Sequence, residues 1–215
     1  MNMIPFTRRL AMLSLAAVAL VPMAARADVT PPNELIKTLS TQVLDAAKQD
    51  KAIQAGDLKK ITALVDATVM PHVNFERMTK DSMSGYWNQA SADQKKRLQD
   101  EFKQLLIRTY AVALANVGDR TVQMKRLRAR PEDTDVVVKA EVVGGGASEP
   151  IAMQYKLEKQ ADGWKIYDVN FAGSWLTVLY QDQFAKDLAA GGVDALLATL
   201  TKINRGGAVA QASKK

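Results

Sequence analysis

The stretch GWKIYDVNFAGSWLTVLYQDQF, from Gly163 to Phe184, carries two Trp, two Tyr and two Phe against three charges, Lys165, Asp168 and Asp182. Its first part, WKIYDVNF, reads as a β-strand. After Gly173, Leu176, Val178, Leu179 and Phe184 read as a helix. A membrane span is excluded: Asp168 and Asn170 come too early, and Gln181-Asp182-Gln183 too late, to leave ~20 uninterrupted apolar residues. The stretch is therefore a strand-to-helix junction with a dense apolar coat. Two readings fit it, an ordinary core or the wall of a pocket for an apolar ligand.

Three further strands precede it. TVQMKRLRA (Thr121 to Ala129) alternates until the pattern slips near Arg126, which suggests a bulge. DVVVKAEVV puts Val136, Val138, Ala140 and Val142 on one face, and IAMQYKLEK does the same for Ile151, Met153, Tyr155 and Leu157. The turns at Gly144-Gly145-Gly146, with Pro150 beyond, and at Ala161-Asp162-Gly163 are short, so the strands are expected to form an antiparallel meander. Before the sheet, Ser91 and Gln94 have the spacing of a capping box. Leu98, Phe102, Leu105, Leu106, Tyr110, Ala113, Leu114 and Val117 then mark the stripe of a long amphipathic helix closed by Gly118. Earlier helices run from Asn33 through Ala47 and from about Leu58. The second is expected to end before Pro71, because the residue preceding proline disfavours helix. A last helix begins near Val193 and carries Leu196, Leu197, Leu200 and Ile203.

The order of elements predicts an α+β fold. A four-stranded antiparallel curved sheet over residues 119–171 is packed by the long helix and further helices. With no repeat and no linker, residues 28–204 read as one domain, and the small, polar end 205–215 as a disordered tail.

The first 27 residues read as a leader rather than fold. Arg8-Arg9 precede the apolar run Leu10 to Val21, and Ala25-Arg26-Ala27 is an A-x-A cleavage signal, so a secretory signal peptide ending at residue 27 is expected. Removing it takes away three arginines and no acid, so the formal charge falls from +6 to +3. That residue of charge is no argument for nucleic acid. The chain has no Cys, so no disulfide supports the fold and no lipid anchor follows the cleavage site.

Catalytic patterns are missing. His72 is the sole histidine and stands beside no cluster of metal-binding residues, so no metal is expected. The glycine triplet lacks the Lys-Ser/Thr of a phosphate loop, and Gly173-Ser174-Trp175 lacks the G-x-S-x-G frame. Asp168, late on a strand, could act as a base or simply pair with a cation. The run Lys125-Arg126-Leu127-Arg128-Ala129-Arg130 reads as a charged edge that resists strand addition, or as a surface steering an anionic partner. Met70, Met78, Met83, Met124 and Met153 add adaptable apolar surface, suited to a core or a variable guest.

Three stretches, MPHVNFERM (Met70–Met78), GYWNQASADQKKRLQDEFKQLLIRTYAVAL (Gly85–Leu114) and GWKIYDVNFAGSWLTVLYQDQFAKDLAAGGVDALLATL (Gly163–Leu200), resemble the periplasmic phospholipid-binding proteins of the MlaC type, also called toluene-tolerance auxiliary proteins. The resemblance extends from about Asn33 to Ile203. The chain departs from the family pattern at Trp175, where many relatives have a small or aliphatic residue. It departs again at Leu179-Tyr180-Gln181, where they have an Asn-Tyr-Arg run, so the arginine of that run is absent.

The resemblance implies an NTF2-like cone enclosing an apolar cavity for acyl chains, with no catalysis and no cofactor. It implies a monomeric periplasmic carrier that ferries phospholipid between an outer-membrane lipoprotein–porin complex and an inner-membrane MCE-protein ABC transporter, maintaining outer-membrane lipid asymmetry. On that basis the expected wall is Phe102, Leu106 and Tyr110 of the long helix, Val138, Met153, Tyr155, Tyr167 and Val169 of the sheet, and Trp175 and Leu179 beyond it. Three other readings stay open: a carrier of hopanoid or another lipid, an NTF2-like enzyme using Asp168 or His72, and an adaptor that binds only proteins.

Overall fold

A computed structural model describes residues 29–146 and 149–206. The expected leader and most of the expected tail lie outside the described residues. Helix α1 (Pro32–Gln49) begins on Pro32, whose missing N–H costs nothing in a first turn. Two short helices follow, α2 (Lys51–Gln54) and α3 (Leu58–Leu64). Each starts from an aspartate, Asp50 or Asp57, whose carboxylate accepts two first-turn amides.

The segment after α3 differs from the sequence expectation. The helix does not stop before Pro71 but widens into a π turn over Val65–Val69 and then tightens to a 3₁₀ turn over Met70–His72. Met70 keeps right-handed helical angles (φ −57°, ψ −34°) although proline follows. Pro71 sits in the first turn of the 3₁₀ segment, where no carbonyl awaits its missing N–H. The chain then bridges to the sheet, with the Asn74 amide donating to the Ile166 carbonyl at 2.8 Å.

Helix α4 (Phe75–Ser82) and a 3₁₀ turn (Ser84–Gln89) lead into α5 (Ala92–Ala115). The capping box is present: the Gln94 amide donates to Ser91 Oγ and the Ser91 amide to Gln94 Oε1. At 1.5 Å per residue α5 is about 36 Å long, enough to touch every other layer.

The sheet is an antiparallel meander in the order β1 (Thr121–Met124), β2 (Asp135–Val143), β3 (Ile151–Gln160), β4 (Gly163–Phe171) and β5 (Ser174–Trp175). Among the described residues there are five strands rather than four. β5 is only two residues long, too short to show alternation in sequence, and pairs Trp175 with Asn170. β1 is also shorter than expected. After one more rung, Lys125 N–H to Lys139 C=O, the chain leaves the sheet, and Leu127 packs against the core under α1. The slip near Arg126 is thus the end of a strand. The bulge lies on β4: Leu157 pairs with Ile166 and Lys156 with Asp168, leaving Tyr167 as the extra residue.

The last helix, α6 (Leu176–Asn204), is broken at Gly191-Gly192, as the onset near Val193 implied. Gly192 has φ 64° and ψ −151°, a region open in practice only to glycine.

Among the described residues, apolar side chains gather in three clusters. One joins α4, α5 and α6 around Phe102, Tyr180 and Phe184. Another packs Leu35, Ile36 and Leu39 of α1 on Val136, Val138, Leu157, Trp164 and Ile166 of the sheet. A third holds α2, α3 and the end of α1 against Ile107, Ala111 and Val117. Gly192→Ala should lower stability by roughly 1–3 kcal/mol, the usual cost of a side chain in such a backbone region. A urea midpoint unchanged from the parent protein would contradict that assignment.

Candidate functional site

The three clusters do not merge. Between them lies a cavity of about 540 Å³, bounded by α1, the last two turns of α5, the π turn and the open end of the sheet. Ile36 and Leu39 come from the sheet cluster, Leu44, Leu114 and Val117 from the α2–α3 cluster, and Tyr110 and Val169 from the edge of the α4–α6 cluster. Among its other wall residues are Val122, Val142, Ile151, Met153, Tyr155 and Phe171 of the sheet and Leu176 of α6. Tyr110 meets Phe171 edge-on, with ring centroids 5.5 Å apart.

The inner end is sealed by the buried residues Ile36, Leu39, Ile166 and Leu176. The rim is exposed: Val112 retains 70 % of its surface, with Ala113 and Asn116 beside it. Ser40, Asn116 and Arg120 are the polar wall residues besides the two tyrosines. Burial pushes the Tyr110 hydroxyl up to about 12, with Tyr180 adding to the effect. Burial likewise raises Tyr155, against the opposing hydrogen bond with Ser40. Both phenols are therefore neutral near neutral pH, and Arg120 is the one charged wall residue among the described residues.

Of the ten expected wall residues, the cavity brings together Tyr110, Met153, Tyr155 and Val169. The other six sit elsewhere, for identifiable reasons. Phe102, Leu106 and Leu179 belong to the α4–α6 cluster, because the middle of α5 faces α6 and only its last turns face the sheet. Val138 points to the expected face but lies too deep, packed with α1 and 1 % exposed. Tyr167 is the bulge residue and turns to the opposite face, where Arg77 lies 3.4 Å over its ring and its hydroxyl donates to Asp135 at 2.9 Å. Trp175 lies beneath Lys156 Nζ, 4.1 Å from the ring centre.

Asp168 and His72 lie outside the cavity wall. The Asp168 carboxylate is 1 % exposed and fully engaged. It accepts from Thr177 Oγ1 (2.7 Å), Thr177 N–H (3.1 Å), Val169 N–H (2.9 Å) and Lys156 Nζ (3.1 Å). These bonds clamp β4, β3 and the first turn of α6 together, and they leave no lone pair directed at a guest. Sequence reasoning missed Arg120 and the contributions of α1. The signal for α1 was its own stripe, Ile36, Leu39 and Val43, which continues into the cavity.

A space of this kind takes an apolar guest with a polar end at the rim. Water entering the space of about 540 Å³ finds few polar groups on its wall to bond, so an apolar guest displaces it favourably. The volume also falls in the range of roughly 300–1,000 Å³ usual for small-molecule sites.

Comparison with known proteins agrees with this geometry. The family model described as MlaC protein matches residues 37–202. The intermembrane phospholipid transport system binding protein MlaC of Haemophilus influenzae is 21% identical over 175 residues, covering 80% of this chain and 82% of that protein. The toluene tolerance protein ttg2D of Pseudomonas putida is 27% identical over 194 residues, covering 89% and 87%. A phospholipid-binding protein from Ralstonia solanacearum, solved in complex with a phospholipid, superposes with a TM-score of 0.77 at 43% identity, covering 80% of this chain and 96% of that one.

Replacing Asp168 tests the structural role assigned to it. Asp168→Ala leaves the buried Thr177 hydroxyl and amide without their acceptor, while Lys156 keeps access to solvent, so a loss of ~1–3 kcal/mol in urea unfolding is expected. A loss below 1 kcal/mol would leave the carboxylate free for another role.

Proposed function

Because the chain belongs to the MlaC family, we propose that it is a periplasmic phospholipid carrier, holding acyl chains in the cavity and the headgroup at the rim. The observation that carries the proposal is the cavity itself, an apolar space whose one charged wall residue among the described residues, Arg120, stands beside the exposed rim. A two-chain lipid does not cross water unaided, since each exposed CH₂ costs ~0.8 kcal/mol. A protein that substitutes for the bilayer around those chains removes the barrier. The leader pattern supports export, and among the described residues no helix is long and apolar enough to cross a membrane.

In this reading the chain acts as a monomer without catalysis or cofactor. It exchanges lipid with an outer-membrane lipoprotein–porin complex and an inner-membrane MCE-protein ABC transporter, and so helps maintain lipid asymmetry. The neighbours named for phospholipid binding and intermembrane transport support that assignment. The engagement of Asp168 within the fold argues against the enzymatic alternative.

Native mass spectrometry of the protein purified from periplasm is the direct test. A mass increment equal to a phospholipid, with phospholipid in the solvent extract, is the expected result. A hopanoid increment would change the cargo, and an apo mass that persists after incubation with phospholipid vesicles would refute the carrier. Met153→Trp, which puts an indole into the wall, is expected to cut lipid loading at least ~10-fold with its thermal unfolding still cooperative. Full loading of that folded variant would remove Met153 from the binding surface.

A further inference from the structure

We propose that Arg120 holds the phosphodiester of the bound lipid and makes the cavity selective for phosphate-bearing guests over uncharged ones with the same chains. This rests on the carrier reading and goes beyond it, because an apolar cavity alone does not distinguish a phospholipid from a diacylglycerol.

Three observations converge on this side chain. Arg120 is part of the cavity wall, next to Asn116 of the exposed rim. Its Nε is buried and has no hydrogen-bond partner among the described residues, whereas its Nη1 donates to the Asn116 carbonyl. Among the described residues it forms no ion pair. The neighbouring carboxylate, Asp119, instead accepts the Gly145 amide. With its Nε–H closed off by protein, the guanidinium carries a charge that no carboxylate balances among the described residues, and an anionic oxygen delivered with the guest at the rim would pair with it.

The β2–β3 turn is shaped around this group. Gly145 has φ +73°, and a Cβ built there would lie 2.9 Å from Arg120 Cγ and Nε and 3.0 Å from Cζ. The positive φ favours glycine there, a side chain would push the guanidinium aside, and the Asp119 bond to Gly145 N–H holds the hairpin in place. The glycine triplet thus gives the phosphate its arginine rather than its own amides. Arg108 also has a buried, unpartnered Nε. It belongs to a separate groove beside Gln54–Leu58 and not to the cavity wall.

The chemistry called for is a phosphate monoanion joined to apolar chains, and free phosphate is the other possible source of such an anion. Purified protein is incubated with vesicles of palmitoyl-oleoyl-phosphatidylglycerol containing palmitoyl-oleoyl-glycerol, re-isolated, and its extracted lipids quantified. The wild type should take the phospholipid preferentially. Arg120→Ala should lower the phospholipid-to-diacylglycerol ratio ~10-fold, with its thermal unfolding still cooperative. Arg120→Lys should restore part of the preference. Gly145→Ala, which displaces the guanidinium but retains it, should shift the ratio the same way, and it decides the matter if Arg120→Ala does not fold.

An unchanged ratio in folded Arg120→Ala overturns the inference. So does a rise in unfolding temperature with millimolar inorganic phosphate that vanishes in Arg120→Ala while the lipid ratio holds, since the site would then bind free phosphate. A wild-type protein that takes up neither lipid refutes the carrier reading itself. That result is distinct from one in which both lipids load without discrimination.

Discussion

The extra residue on β4 decides which side chains meet the cavity. Up to Ile166 the even-numbered residues of this strand face α1, and an uninterrupted strand would point Asp168 and Asn170 inward next. Inserting Tyr167 reverses the parity. Val169 and Phe171 enter the wall, and Asp168 is carried to the other face, where Lys156 and Thr177 receive it. A carboxylate directed into the apolar space would have to shed its charge or draw in water. The bulge thus makes an apolar wall compatible with a charged clamp on adjacent residues of one strand. Tyr167, left without a strand partner, is held between Arg77 and Asp135.

A second constraint is that the apolar clusters stay separate. Helix α5 serves two of them and the cavity along its length. Leu98, Phe102 and Leu105 go to the helical cluster, Ile107 and Ala111 to α2 and α3, and Tyr110, Ala113 and Leu114 to the cavity. A shorter helix could close a single core. One of 24 residues reaches past the helical cluster and leaves space between its last turns and the sheet. The Gly191-Gly192 break lets the second half of α6 fold Leu196, Leu197 and Leu200 back into the helical cluster. The cavity therefore belongs to the layout of the elements rather than to any one of them.

Much of this layout was legible in the sequence because it follows from period and caps. Ser91 and Gln94 announced α5, the alternation of Val136 to Val142 and Ile151 to Leu157 gave the inner faces of β2 and β3, and the apolar stripe beginning near Val193 set the second half of α6 apart. The bulge was not legible, because Ile166-Tyr167-Asp168 contains no glycine or other residue that demands one. Depth was equally hidden. Val138 and Met153 have the same facing, yet Trp164 and α1 fill the space near the first and not the second. Phe102 was misplaced because a helical stripe says which residues are buried, not which neighbour buries them. Arg120 gave no periodic signal at all. Its role depends on a glycine 25 residues away that only the fold brings near.

The sealed inner end has a kinetic meaning. A chain reaching Ile36 and Leu176 must pass some dozen methylenes into water to leave alone, about 10 kcal/mol. That slows spontaneous escape by roughly ten-million-fold. The delay vanishes if another apolar surface meets the rim at Val112 and Ala113, because the chain then moves without being wetted. For the proposed cargo, retention time and transfer time are consequently set by different events. The first is governed by the depth of the cavity and the second by contact at its rim, so a long-lived complex in solution is compatible with rapid handover between partners.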